Sequence, residues 1–170
     1  MMGSNGQPAN AGGAMGSGAM HPATELHYTL PADWKTEKPA SSMRLAQASI
    51  PGKGGEGQLA IFYFGPGQGG TVDANIKRWE NEIKPAPGTT PKTESFQVGS
   101  LKVTWVDASG TLMPSQMGMG PKQPQSGYRL FGAVVEGAGG PWFLKAIGPS
   151  ATLEAQRQAW LDMLHNLSIG

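Results

Sequence analysis

Cysteine is absent from the 170 residues. This removes disulfides, thiol catalysis and cysteine-ligated zinc, and leaves the redox compartment open. Charge of either sign is also missing as a signal. There are 13 basic and 12 acidic residues, a formal charge of +1, and Lys and Arg are scattered singly, so nothing favours nucleic acid as a partner. No apolar run approaches the roughly 20 residues a transmembrane helix needs. The only histidines are His21, His27 and His165, with none of the paired spacings of a two-histidine metal site. No G-x-S-x-G elbow occurs, and Gly99-Ser100 and Ser109-Gly110 read as turns. Paired carboxylates are lacking as well: Glu80 and Glu82 project about 200° apart on a helix, and Asp107 and Glu136 fall on separate strands.

What is present is a chain long enough for one domain with a real core. Glycine and proline are abundant, at 26 and 14 residues, but concentrated in a tail and in loops. Residues 1–23 hold six Gly and four Met among small or polar companions. Such a segment cannot bury enough surface to offset the entropy of ordering and reads as a disordered Gly/Ala/Met-rich tail. It has no charged n-region or apolar h-region of a signal peptide. A small-residue stretch ahead of a compact domain fits the tether of an exported, periplasmic or lipid-anchored protein whose signal has been removed. Residues 24–170 read as a single α+β domain.

The organising stretch is LAIFYFGPGQGGTVDANIKRWENEIK, Leu59 to Lys84. Leu59 to Phe64 is apolar on both faces, as a buried central strand requires. Gly65, Gly67, Gly69 and Gly70 with Pro66 then forbid regular structure. Thr71 is a good N-cap, and Asp73 suits the positive end of the helix dipole. Val72, Ile76, Trp79 and Ile83 form one apolar face, with Asn75, Lys77, Arg78, Glu80 and Glu82 assigned outside. Pro85, Pro87 and Gly88 end the helix.

Ahead of it, Glu25–Leu30 is a strand that turns at Pro31–Trp34, and Lys35–Ser42 is loop. In Met43–Ile50, Met43, Leu45 and Gln47 alternate with Arg44, Ala46, Ala48 and Ile50. Pro51–Gly57 is a hairpin loop. Beyond the helix come Lys92–Val98 and Leu101–Thr111, joined at Gly99-Ser100 by a turn that suits type II′. A Met-, Pro- and Gln-rich loop fills residues 112–127. The hairpin Tyr128–Glu136 and Trp142–Ile147 and a helix from about Thr152 to Leu167 complete the chain. The order β-β-β-α-β-β-β-β-α, with tight connections, predicts an α+β fold: one antiparallel sheet of about six to seven strands covered by two helices.

These residues carry a resemblance. The strand running into Leu30-Pro31-Ala32-Asp33-Trp34, the single mid-chain helix, the four antiparallel strands and the terminal helix resemble the PsbP-like fold group over about residues 24–169. More narrowly, FYFGPGQGGTVDANIKRW, Phe62 to Trp79, is similar to a run in uncharacterised small exported bacterial proteins. The resemblance implies an extracytoplasmic, periplasmic or cell-envelope location, and it brings no shared catalytic motif.

Three functional readings follow. The leading one is a non-enzymatic exported domain that binds or scaffolds a protein partner or unknown small ligand. It is expected to be monomeric, to need no cofactor, and to carry a possible lipid anchor in its precursor. The second is Cu(I) handling by Met113, Met117 and Met119, since soft thioethers at short spacing suit that ion; core and loop filling is the plainer role. The third is an anion or small ligand at Gly65, Gly67, Gly69, Gly70 and Thr71. Gly65, Gly67 and Gly70 satisfy G-x-G-x-x-G between strand and helix. However, PAPGTTPKTE stands where a dinucleotide site needs a second strand and acid, and Thr71 stands where a P-loop has lysine. What remains is a generic anion site at the helix start, or a tight structural turn.

Overall fold

The computed structural model describes residues 25–114 and 121–170. The expected tail and Met117 and Met119 lie outside the described residues. The described residues form ten strands: β1 (Leu26–His27), β2 (Lys35–Glu37), β3 (Arg44–Ile50), β4 (Gly57–Phe62), β5 (Ile83–Pro85), β6 (Lys92–Val98), β7 (Leu101–Leu112), β8 (Gln125–Glu136), β9 (Trp142–Pro149) and β10 (Ser168–Ile169). Three helices accompany them: α1 (Val72–Glu82), α2 (Ser150–Ala155) and α3 (Arg157–His165). Eight strands form one sheet in the order β2-β3-β4-β9-β8-β7-β5, with β6 also on β7, and β1 pairs with β10 in a separate ribbon. Every pairing is antiparallel. The domain is therefore α+β, as expected.

The count differs from the expected six to seven strands and two helices. Lys35–Glu37, read as loop, is a strand because it pairs with Gln47, Ala48 and Ser49. Ile83–Pro85 continues from α1 as a short strand on Gly110–Leu112, so Pro85 stops the helix without stopping the pairing. The terminal helix breaks at Gln156, whose φ of −101° and ψ of 8° leave the helical range. Its side chain is taken up elsewhere: Oε1 accepts from the Trp34 indole at 2.9 Å.

The pleat of the long strands divides the core in two. Leu101, Val103 and Trp105 of β7, Phe131, Ala133 and Val135 of β8, and Trp142, Leu144 and Ala146 of β9 face α2 and α3, where Leu153, Trp160, Met163 and Leu164 bury against them. Val106 and Ala108, Leu130 and Val134, and Phe143 point the other way, onto Ile76 and Trp79 of α1. Helices thus cover both faces of one sheet. All five tryptophans are buried. Gly132 lets α1 lie close, since a Cβ there would run into the Trp79 ring.

Helix α1 spans β7 and β8 and leaves the β2-β3-β4 side of its face uncovered by any described helix. One register shift shapes that side. Arg44 pairs with Phe62 and Ala46 with Ile61, which leaves Leu45 as an extra residue. The bulge turns Arg44 toward Gln47 and Gln58. The expected alternation, with Arg44 on the face of Ala46, is corrected here, because a bulge shifts the residues before it by one position.

Candidate functional site

The Gly65–Thr71 loop runs from the end of β4 into α1. Gly65, Gly67, Gly69 and Gly70 all have positive φ, from 71° to 108°, which L side chains rarely adopt. The glycines are therefore required by the turn itself. The N-cap forms as read: Thr71 Oγ1 accepts from Ala74 N at 3.1 Å. Asn75 does not lie outside as expected. It is buried, and its Nδ2 donates to the carbonyls of Gly69 at 2.9 Å and Thr71 at 2.8 Å. Helical spacing from Thr71 to Asn75 made that contact possible, but the apolar pattern hid it. Asn75→Ala would strand the Gly69 carbonyl, leave the Thr71 carbonyl with its backbone donor alone and empty a buried position. It is expected to destabilise the domain by about 1–3 kcal/mol in chemical denaturation, with α1 amide exchange accelerated first.

The loop also docks sideways. Gly67 N donates to Gly140 O at 2.8 Å. Tyr63 hydroxyl donates to Gly139 O at 2.7 Å in the same β8–β9 turn, and its ring stacks on Trp142. Burial pushes the Tyr63 phenol up. Gly67, Gly70, Thr71 and Val72 line one wall of an open depression of about 380 Å³, and Glu136 and Pro141 stand on the other. The carboxylate of Glu136 opposes an anion drawn to the first turn of α1. Of the five predicted loop residues, Gly67, Gly70 and Thr71 line the depression, whereas Gly69 faces the Phe143 ring and Gly65 only shapes the turn; Asn75, Glu136 and Gly140 were signalled by no local motif.

Of the predicted thioethers, Met113 is half-buried and its N–H donates to Glu82 O at 2.9 Å, just past the end of β7. His27 lies 3.3 Å from the Gly170 carbonyl, and His165 stacks on Phe96 at 4.2 Å. Among the described residues, no three His, Asp or Glu side chains gather as metal ligands.

The main charged cluster fastens the helices. Asp107 of β7 accepts from Arg129 of β8 and Arg157 of α3, each at 2.6 Å. Arg157 reaches Glu154 at 2.7 Å and lies over the Phe131 ring. Arg129 Nε donates to Ser150 Oγ at 3.2 Å. Removing Asp107, whose side chain is only 10% exposed, leaves two guanidiniums without their shared acceptor. Asp107→Ala is expected to cost about 2–4 kcal/mol, read from the midpoint of denaturation. Hydrogen bonding from Arg157 holds the Glu154 carboxyl below the usual range, and the same bond raises Arg157. A depressed acid stabilises above its unfolded pKa, here about 4.3, and loses that contribution as pH falls below it. Glu154→Gln should therefore flatten the fall in stability as pH drops below that value.

A second polar network lies on the uncovered side of the sheet. Arg44 Nη1 donates to Gln47 Oε1 and Gln58 Oε1, both at 2.8 Å, and Gln47 Nε2 donates to Glu37 at 2.9 Å. Arg44 sits over the Phe62 ring, and its Nε is buried without an acceptor.

These features define an antiparallel α+β domain with an anchored glycine loop. No family model matches the chain, and no curated protein matches it in sequence. In fold it is similar to the crystal structure of LpqN, described as involved in cell envelope biogenesis of Mycobacterium tuberculosis. The match has a TM-score of 0.55 and 11% identity, and it covers 87% of this chain and 84% of that one. At that identity the likeness is one of fold.

Proposed function

We propose that this chain is a non-enzymatic, exported domain that binds or scaffolds a partner in the cell envelope, with a fold of the PsbP-like kind. The likeness in fold to LpqN, a protein of cell envelope biogenesis, is the observation that carries this reading. The tether-like composition of residues 1–23 supports it. So does the use of the charged side chains: Asp107, Arg129, Arg157 and Glu154 clamp helices to the sheet instead of lining a cleft. No described helix is long and apolar enough to cross a membrane; in this reading a lipid anchor or the partner holds the domain at the envelope. Fractionation of the native host with an antibody to the domain tests the location. Recovery with the envelope is the expected result, and recovery in the cytosol contradicts it.

A second reading has one observation in its favour, the depression beside Gly67, Gly70 and Thr71. A small anion would meet the first turn of α1 there, against Glu136. Amide shifts at residues 67–73 on addition of phosphate, strengthened by Glu136→Gln, would support it; silent amides in both proteins would end it.

A further inference from the structure

The described residues expose three large hydrophobic side chains: Met43 at 56%, Leu45 at 55% and Phe64 at 40%. All three belong to one end of the β3–β4 pair. Met43 and Leu45 flank Arg44, and Phe64 follows Phe62, the residue Arg44 pairs with. Phe64 stacks on Phe62, with ring centroids 6.2 Å apart, and leans on Phe143. The bulge that frees Leu45 also aims Arg44 onto this side.

The charge beside these side chains has no carboxylate of its own, since Glu37 reaches Arg44 only through Gln47. The other clustered cations have carboxylates at 2.6 to 3.6 Å: Arg129, Lys145 and Arg157. Among the described residues Arg44 has none. Its Nη1 rests on two neutral amide oxygens, and its buried Nε has no acceptor. A guanidinium fixed on one side keeps its remaining donors in a planar fork whose natural complement is a carboxylate.

We propose that this end of the β3–β4 pair docks a protein partner through a segment that presents a carboxylate to Arg44 and apolar side chains to Met43, Leu45 and Phe64. Met and Phe supply the adaptable apolar contact of an interaction surface, and Arg44 supplies the anchor, a residue type enriched among binding hot spots. The proposal deepens the binding reading above and rests on it.

The test is selection from a displayed library of random peptides against the full chain, followed by affinity measurement with a selected peptide. Acidic residues flanked by apolar ones should be enriched. Arg44→Gln should weaken the selected peptide about tenfold or more, the loss of roughly 1.4 kcal/mol, and Arg44→Lys should recover part of it. The exposed double variant Met43→Ser/Leu45→Ser, which leaves the core untouched, should also weaken binding at least several-fold. Peptides that bind equally well to all three variants would overturn this surface while leaving the binding reading standing. Absence of any enriched peptide would overturn both. Sedimentation with phosphatidylglycerol vesicles that depends on Met43 and Leu45, without peptide enrichment, would replace the partner with a membrane surface and overturn the proposal.

Discussion

Trp160→Ala is expected to cost about 3–5 kcal/mol, a large share of the about 5–15 kcal/mol that keeps a domain folded. Trp160 is fully buried on α3 and fills the space between helix and sheet, touching Phe131 at a centroid distance of 5.6 Å and Trp105 at 6.2 Å. Its loss would empty the layer that holds α2 and α3 to β7, β8 and β9. The indole N–H has no acceptor, so its nitrogen adds no hydrogen bond. Trp160→Phe keeps most of the apolar contact and removes an unpaired donor. It should cost only about 1–2 kcal/mol. The two variants compared by urea denaturation separate packing from polar bonding, and equal losses would show that the indole nitrogen matters.

Gly110→Ala is expected to be nearly as damaging, at about 3 kcal/mol or more. Gly110 pairs with Pro85 of β5 on one side and Tyr128 of β8 on the other. Its φ is +149°, and an added Cβ would overlap the carbonyl oxygen of Lys84 and lie 3.0 Å from Ala86 N. Those atoms are backbone and cannot turn aside as a side chain can. The pleat is interrupted here by a register shift between Gly110 and Leu112, which lets β5 follow α1 directly onto the sheet edge. A thermal melt of Gly110→Ala should fall by roughly 6–12 °C for a domain of this size, with β5 and α1 losing amide protection together.

Much of this fold was readable from side-chain order. Val72, Ile76 and Trp79 mark α1, and Leu101, Val103 and Trp105 mark a face of β7, because each pattern repeats over enough residues to impose its period; Ile83, read on the same helical face, begins β5 instead. The elements missed are those too short to carry a period. β2 and β5 have three residues each and β10 has two; partners far along the chain create them, whereas β1 lies inside the strand read at Glu25–Leu30. The bulge at Leu45 was hidden for the same reason, since strict alternation assumes one residue for one across the ladder. At the glycine loop, the residues and the N-cap were legible. The burial of Asn75 was not, because an amide that bonds carbonyls inside a turn looks like any polar residue on an outer face. Glu136, across the depression, comes from a strand more than 60 residues away, and no local pattern connects it to Thr71.

The central claim, that the domain holds a partner in the envelope, is tested most directly by photo-crosslinking in the native host. A photoreactive phenylalanine analogue at position 45 should give a discrete heavier adduct, lost when Arg44→Gln is added. The same analogue at exposed position 53, in the β3–β4 loop at the far end of that pair, should give none. No adduct from position 45, or equal adducts from both positions, would contradict the account.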